Sequence, residues 1–440
     1  MEINTPKRIL IVSAVFPPEQ VTSAFLNYDL AHELAKEYEV IVLRPYPTRP
    51  IGVKFESVEV EDKSFKTILV NSYTHPQSEL LGRFRESFDF GKKSAAYIKE
   101  HHKEIDFVYN DGWQLFGLNI VAKACKKYDI PYMVPIQDIY PECPFTNRKY
   151  PGILKACING VLMPIDKSYQ RHAACVRTIS DEMRDYLAET RGVVKENYLV
   201  VNNWQNDADF LMEYPEREDD GKIIYAYVGS INEHANVDLM IKAFAEAAMP
   251  NSEFRIYGGG NKKEYCVNLV KELGLTNVAF DQVSRDKVAF VQSQADVLVL
   301  ALPKGNGNLC LPSKLTSYML SGKPLLASVD EDSATTRMLN SSGAGNAVSP
   351  DNQVALKNGF EFFARLDKKK MEAIGLASTD YAKKHLTRDI NLKLVVEKIK
   401  AIVQYWLKNR RCTVSEHGWI TSSSTMTLSI AFSKLRLVLE

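Results

Sequence analysis

Several common functional signals are missing from this chain, and each absence narrows what it can be. Its seven cysteines, Cys125, Cys143, Cys157, Cys175, Cys266, Cys310 and Cys412, are scattered and odd in number. They form no C-x-x-C pair and have no histidine at zinc spacing, so neither a disulfide framework nor a bound metal is expected. Reduced, buried thiols are the expectation. Charge of one sign is not in excess: 55 basic residues stand against 54 acidic ones, a formal net charge of +1. Without a global positive field, nucleic acid is not an expected partner, and any anion site must be local. The dinucleotide fingerprint G-x-G-x-x-G is absent too, because Gly258-Gly259-Gly260 is followed by Lys262 and Lys263 where its last glycine should fall. That argues against a nicotinamide or flavin cofactor. No hydrophobic run approaches the roughly 20 residues of a spanning helix. The opening MEINTPKRILIVSAVF has an apolar run too short for a signal peptide. A cytoplasmic protein is expected, with peripheral contact at the inner face of the membrane left open.

What the chain does have is alternation. Short β-branched runs and longer helical patterns follow one another from ILIVSA through VIVLRP, TILVNS, DFVYN, YMVPI and CVRTIS to YLVVNN. That order is the mark of strand-helix-strand units building a parallel sheet with helices on both faces. A second set runs through IIYAYVG, FRIYGGG, NVAFDQ, DVLVLAL, PLLASV and NAVSP. With 440 residues, the sequence reads as two doubly wound α/β domains, 1–204 and 222–385, joined by an acidic, proline-containing linker at 205–221. Residues 386–408 read as one amphipathic helix with Leu392, Val395, Val396, Ile399, Ile402, Val403 and Trp406 on one face. The Ser/Thr-rich tail 409–440 reads as irregular.

In open α/β sheets ligands bind at the carboxyl ends of strands, so the loops after strands hold the candidates. After DVLVLAL come Gly305, Gly307 and then Leu311-Pro312-Ser313-Lys314-Leu315. The glycines let amides converge, Ser313 can cap the helix that follows, and its free N–H groups with Lys314 make an anion site. Gly258, Gly259 and Gly260 allow close backbone approach at another strand end, although turn geometry alone would explain them.

Two strand ends of the first domain are polar. Asn110-Asp111-Gly112-Trp113 follows DFVY, and Gln137-Asp138-Ile139-Tyr140-Pro141-Glu142 follows YMVPI. Asp138 and Asp111 are the candidates for orienting or deprotonating an acceptor hydroxyl, with Asn110, Trp113 and Glu142 beside them. Asp111 has an alternative role as a helix cap. Asp207-Ala208-Asp209 and Asp330-Glu331-Asp332 read as solvated acid rather than metal ligands. Arg83, Arg85, Lys92, Lys93, Lys99 and Lys103, interrupted by Phe84, Phe88, Phe90 and Tyr97, form a basic amphipathic helix. Its ordinary reading is a solvated face, and its minority reading a patch for a phosphorylated lipid or a membrane.

The opening ILIVSAVFPPEQ, PYPTRPIG (Pro45 to Gly52), QDIYPE, YVGSINEHANVDLMIKAF (Tyr227 to Phe244), FRIYGGG and PSKLTSYMLSGKPLLASVD (Pro312 to Asp330) together resemble the family 4 retaining glycosyltransferases, especially those of capsule and O-antigen assembly. The resemblance implies a GT-B fold: two Rossmann-like domains facing a cleft, an acceptor domain first and a donor domain second, with the final helix crossing back to the first. It implies transfer of a sugar from a nucleoside diphosphate donor, UDP-linked, with retention and without a metal or other cofactor. The acceptor would be a glycan or polyprenyl-diphosphate-linked oligosaccharide. Leu311 to Leu315 would contact the donor diphosphate, Gly258 to Gly260 would lie near the nucleotide, and Gly229, Ser230 and His234 would belong to the first donor-domain loop.

The sequence departs from the family pattern in three places. An E-x7-E pair common in the family falls here on Leu309 and Ser317. The usual Arg and Lys of the first donor-domain loop fall on Ser230 and Ala235, and the first-domain loop glycines are Thr22 and Ser23. More of the leaving-group charge would then fall on Lys314, helped by His234. Two other functions stay open at this point: a catalytically weak homologue acting as a scaffold subunit, and a sugar-nucleotide epimerase on the same fold.

Overall fold

The computed structural model describes residues 7–49, 55, 57–58, 60–75, 80–142, 152–305 and 311–416. The chain divides into two compact units, one made of 1–142, 150–201 and 392–440, the other of 143–149 and 202–391.

The first unit is a parallel sheet of β1 (Arg8–Ser13), β2 (Glu39–Pro45), β3 (Lys66–Val70), β4 (Phe107–Asp111), β5 (Tyr132–Pro135), β6 (Cys175–Thr178) and β7 (Tyr198–Val200), in the order β3-β2-β1-β4-β5-β6-β7. Strands such as RILIVS are apolar on both faces because helices cover both, and Ile9 to Val12 are wholly buried. The order reverses between β1 and β4, where Ser13 pairs in register with Asp111. Ligand crevices form at such a reversal.

The second unit repeats the plan with β8 (Ile223–Val228), β9 (Ser252–Tyr257), β10 (Val278–Asp281), β11 (Val297–Ala301), β12 (Leu325–Ser328) and β13 (Gly345–Val348), in the order β10-β9-β8-β11-β12-β13. One face packs an aromatic cluster in which Phe360 lies 5.0 Å from Tyr225 and 5.4 Å from Phe244, ring centre to ring centre. The other face carries Leu298, Leu300, Tyr318 and Met319. Its reversal lies between β8 and β11.

The structure differs from the sequence reading at two segments. The segment read as a linker contains the helix Asp207–Leu211 and is grouped with the second unit. Side-chain contacts the composition does not reveal hold it there: the Arg388 amide donates to Asp207, and the Gln294 side chain donates to the Pro215 carbonyl at 2.9 Å. The last helix runs Arg388–Glu416, past its expected end and into the stretch read as irregular. Its apolar face from Leu392 to Val403 is buried, and from Leu392 onward it is grouped with the first unit, where Lys400 pairs with Glu37. The rest of the tail, 417–440, lies outside the described residues.

Candidate functional site

In the second unit, loops at the carboxyl ends of β8 and β9 join through glycine. The Gly229 amide donates to the Tyr257 carbonyl and the Ile231 amide to the Gly259 carbonyl, both at 2.8 Å, so the pairing continues beyond the strands. A Cβ on Gly258 would lie 2.0 Å from the Gly229 oxygen, and one on Gly260 would lie 2.2 Å from the Ile231 oxygen. Glycine is required at both positions by backbone approach. Gly259 differs: its added Cβ would meet only the Gln282 amide nitrogen, at 4.0 Å.

Lys314 lies across this floor. Its Cε would be 1.8 Å from a Cβ on Gly229, and its ammonium stands 5.2 Å from the centre of the Tyr227 ring. Burial holds this ammonium below the usual lysine range, and no neighbouring carboxylate offsets the effect. A cation removed from water without a protein counter-charge is poised for an external anion. The helix Ser313–Leu320 aims it: the Tyr318 hydroxyl accepts from the Val228 amide at 2.8 Å and donates to the Val228 carbonyl at 3.2 Å. That clamp fixes the helix to the end of β8, one residue before Gly229. The Gln205 side chain also donates to the Ser313 carbonyl at 2.6 Å.

The expected serine cap is not formed. Pro312 occupies the N-cap position without a side-chain cap bond, and Ser313 is the first helical residue, exposed. The first-turn amides of Ser313 and Lys314 therefore have no intrahelical acceptor, which leaves the helix start more open to an anion than the sequence indicated. Leu315 is buried behind it and Leu311 half-buried beside it. Gly305 does not offer a free amide, because its N–H donates to the Asp330 carboxylate at 2.9 Å, and the Lys304 amide donates to Asp351 at 3.0 Å. Asp330 thus holds a loop, and no group of His, Cys, Asp or Glu among the described residues is placed to bind a metal. Gly307 and Leu309 lie outside the described residues.

Ser230 and His234 are exposed; the Ser230 carbonyl accepts from the Tyr227 hydroxyl at 2.6 Å, and the His234 amide donates to Asn232 at 3.0 Å. Ser317, at the position of the family's second Glu, is buried, with its hydroxyl donating to the Lys314 carbonyl at 2.9 Å and accepting from Gln292 at 3.4 Å. Tyr227, Tyr318 and Gln292 were not singled out from sequence. Tyr227 had one available signal, its place two residues before a strand-end glycine.

In the first unit Asp111 is the last residue of β4 and does not cap the next helix, Phe116–Lys127, whose N-cap is Leu115. Asn27 donates to Asp111 at 2.7 Å and to the Ser13 hydroxyl at 2.8 Å. Burial raises the Asp111 carboxyl to about 6, opposed by the Asn27 bond and by Arg177. A carboxyl with a raised folded-state pKa favours folding most when protonated, so its ionisation lowers stability as pH rises from about 4 toward 6 and the penalty persists above that. A shift of this size corresponds to roughly 3 kcal/mol. Asp111→Asn is therefore expected to raise the melting temperature at pH 7.5 and leave it unchanged at pH 3.5; equal shifts at both would remove the titration argument. Nothing in the sequence links Asn27 to Asp111: Asn27 lies on the helix Thr22–Leu34, and the pairing of β1 with β4, Ser13 opposite Asp111, brings the carboxylate to it.

The other candidates separate by environment. Asn110 is fully buried, its amide donating to the Leu118 carbonyl at 3.0 Å while its side-chain oxygen has no partner. Trp113 is half-buried, with the guanidinium groups of Arg49 and Arg83 at 5.2 and 5.6 Å from its ring. Both arginines also pair with the buried Glu86. Asp138 is exposed. Glu142 is committed to Arg191, which holds it through two bonds of 2.8 Å, pairs with Asp166 at 2.5 Å and donates to the Tyr140 carbonyl at 2.7 Å. This network braces the turn that carries Asp138. Arg191→Met would leave Asp166 and Glu142 without their counter-charge, an expected loss of about 3 to 5 kcal/mol, checked by chemical denaturation.

Two Rossmann-like units, the second presenting a desolvated lysine and an open helix start, define the class: a GT-B protein. Residues 212–378 match the family described as glycosyl transferases group 1, and residues 27–204 match the glycosyl transferase 4-like domain. The chain therefore carries a group 1 glycosyltransferase domain behind a 4-like N-terminal domain. It is 22% identical over 253 residues to "Probable glycosyltransferase WbjE" of Pseudomonas aeruginosa, a match covering 54% of this chain and 60% of that protein. In fold it is similar to a glycosyltransferase of Rickettsia africae (TM-score 0.64, 16% identity, 92% of this chain and 100% of that one). It is also similar to Anabaena HepE in complex with UDP (TM-score 0.65, 13% identity, 90% and 100%).

Proposed function

We propose that this protein is a retaining, metal-independent glycosyltransferase. It moves a sugar from a nucleoside diphosphate donor, UDP-linked, to a glycan or polyprenyl-diphosphate-linked acceptor in bacterial surface polysaccharide synthesis, in the cytoplasm or at the inner face of the membrane. The observation that carries this reading is Lys314, a desolvated cation with no ion-pair partner among the described residues, at an uncapped helix start beside the close-packed glycines. Such a group stabilises the negative charge that grows on the donor diphosphate as its bond to the anomeric carbon breaks. The acceptor oxygen forms the new bond to that carbon, and its proton leaves to the departing phosphate oxygen. The match to WbjE and the UDP-bound HepE fold support the donor class.

Thermal unfolding with a panel of nucleoside diphosphates and their sugars tests the reading. UDP at a hundredfold excess over its Kd should stabilise the protein by about 2.7 kcal/mol. No shift with any nucleotide would remove the transferase reading and favour a scaffold role, for which the buried Ser317 at the position of the family's second Glu is the motivating observation. Conversion of the donor sugar without any acceptor would instead indicate an epimerase.

A further inference from the structure

A cavity of about 490 Å³ opens in the second unit, at the end of the sheet opposite to Lys314 and Gly229. It borders the residues that lead into three parallel strands: Lys222 and Ile223 at β8, Ala295 and Asp296 before β11, Lys323 and Pro324 before β12. A six-residue strand such as β8 spans about 20 Å, so this space is separate from the candidate donor site. Its size falls in the range of small-molecule sites.

Phe210, Met212 and Pro215 from the segment before β8 line the cavity, facing Leu366 and Met371. The lining also carries Lys323, whose burial is only partly offset by the neighbouring acids Asp296 and Glu216, with Arg217 and Lys368 opposing them. Lys323 is half-buried, burial holds its ammonium below the usual lysine range, and among the described residues no hydrogen bond acts on it. Asp296, the carboxylate that most counters this effect, is already taken, its Oδ2 accepting from Arg217 at 3.1 Å and from the Ile224 amide at 2.7 Å. The other acids of the lining, Glu216, Asp219 and Glu372, are exposed, where water solvates them. A half-buried cation beside Phe210, Leu366 and Met371, with the acids exposed at the rim, matches a ligand with one negative group and an apolar body.

We propose that this cavity binds a small organic anion, its charged group on Lys323 and its apolar part against Phe210, Met212 and Met371. The site is distinct from the donor site, so its ligand and UDP bind together. The test uses the whole protein and 8-anilinonaphthalene-1-sulfonate, an aromatic sulfonate whose fluorescence rises on binding. Saturable binding is expected, weakened about tenfold by Lys323→Gln and retained by Lys323→Arg, because a charge-assisted hydrogen bond carries that much affinity. Ser293→Trp, which places an indole in the cavity from the helix Val288–Ser293, is expected to abolish it. Melting temperatures close to wild type show that each variant is folded. Unchanged affinity in both Lys323→Gln and Ser293→Trp would overturn the proposal. Displacement of the probe by UDP would also overturn it, because the probe would then occupy the donor site.

Discussion

Lys314→Ala is expected to reduce donor turnover by about 100-fold or more while leaving the protein folded. Removing a preorganised charged group that faces developing negative charge costs about 2 to 4 kcal/mol in the transition state. The fold should tolerate the change because among the described residues Lys314 makes no ion pair, stands over the Tyr227 ring in a cation–π contact, and is held out of water at some cost. Lys314→Met sharpens the test by filling the same volume without the charge. Its melting temperature without ligand should stay within about 2 °C of wild type, since lost cation–π attraction and relieved desolvation oppose each other. Stabilisation by UDP should disappear in both variants. Near-normal turnover with either, measured under donor-limited conditions, would remove Lys314 from the site.

The second large effect is expected at Gly258, and it is one of stability rather than chemistry. An alanine there would set its Cβ 2.0 Å from the Gly229 carbonyl oxygen, at a φ of +152° that side chains rarely adopt. The obstructing atom is backbone, locked by the Gly229-to-Tyr257 and Gly258-to-Asp281 hydrogen bonds, so it cannot move aside as a side-chain end could. A loss of about 3 to 5 kcal/mol is expected, enough to unfold much of the second unit at 37 °C. Gly259→Ala, one residue on, meets only the end of Gln282 and should cost less than about 1 kcal/mol. Denaturant titration of the pair checks this; equal stabilities would show that the strand-end glycines are not fixed by backbone approach.

Much of this architecture was legible in the sequence. Strands buried on both faces read as continuous apolar runs, and IIYAYVG, FRIYGGG and DVLVLAL all became β-strands ending near where the runs end. The basic segment around Arg83 to Lys103 became the helix Leu80–His101, with Phe90 in the core and Phe88 exposed beneath Lys92. The helix start at Ser313 was also located, because proline followed by a polar residue and an amphipathic run is a local signal. Its capping was misread, since whether Ser313 is the cap or the first helical residue turns on backbone angles that a sequence leaves open.

The sequence by itself therefore determined the two parallel α/β sheets, the positions of their loops and the chemical types available at the strand ends. It did so because apolar periodicity and helix signals act over a few residues. Only the tertiary structure decided what each polar group is for. Asp111, at the end of β4, meets Asn27 on the helix Thr22–Leu34 and is pushed toward neutrality; Glu142 is drawn into a network with Arg191; and Gly305 gives its amide to Asp330. Lys314 is set over Gly229 and Tyr227 because Tyr318, bonded to Val228 at the end of β8, fixes its helix there. Those outcomes depend on desolvation and on partners far apart in the chain, and neither is a property of any local stretch of residues.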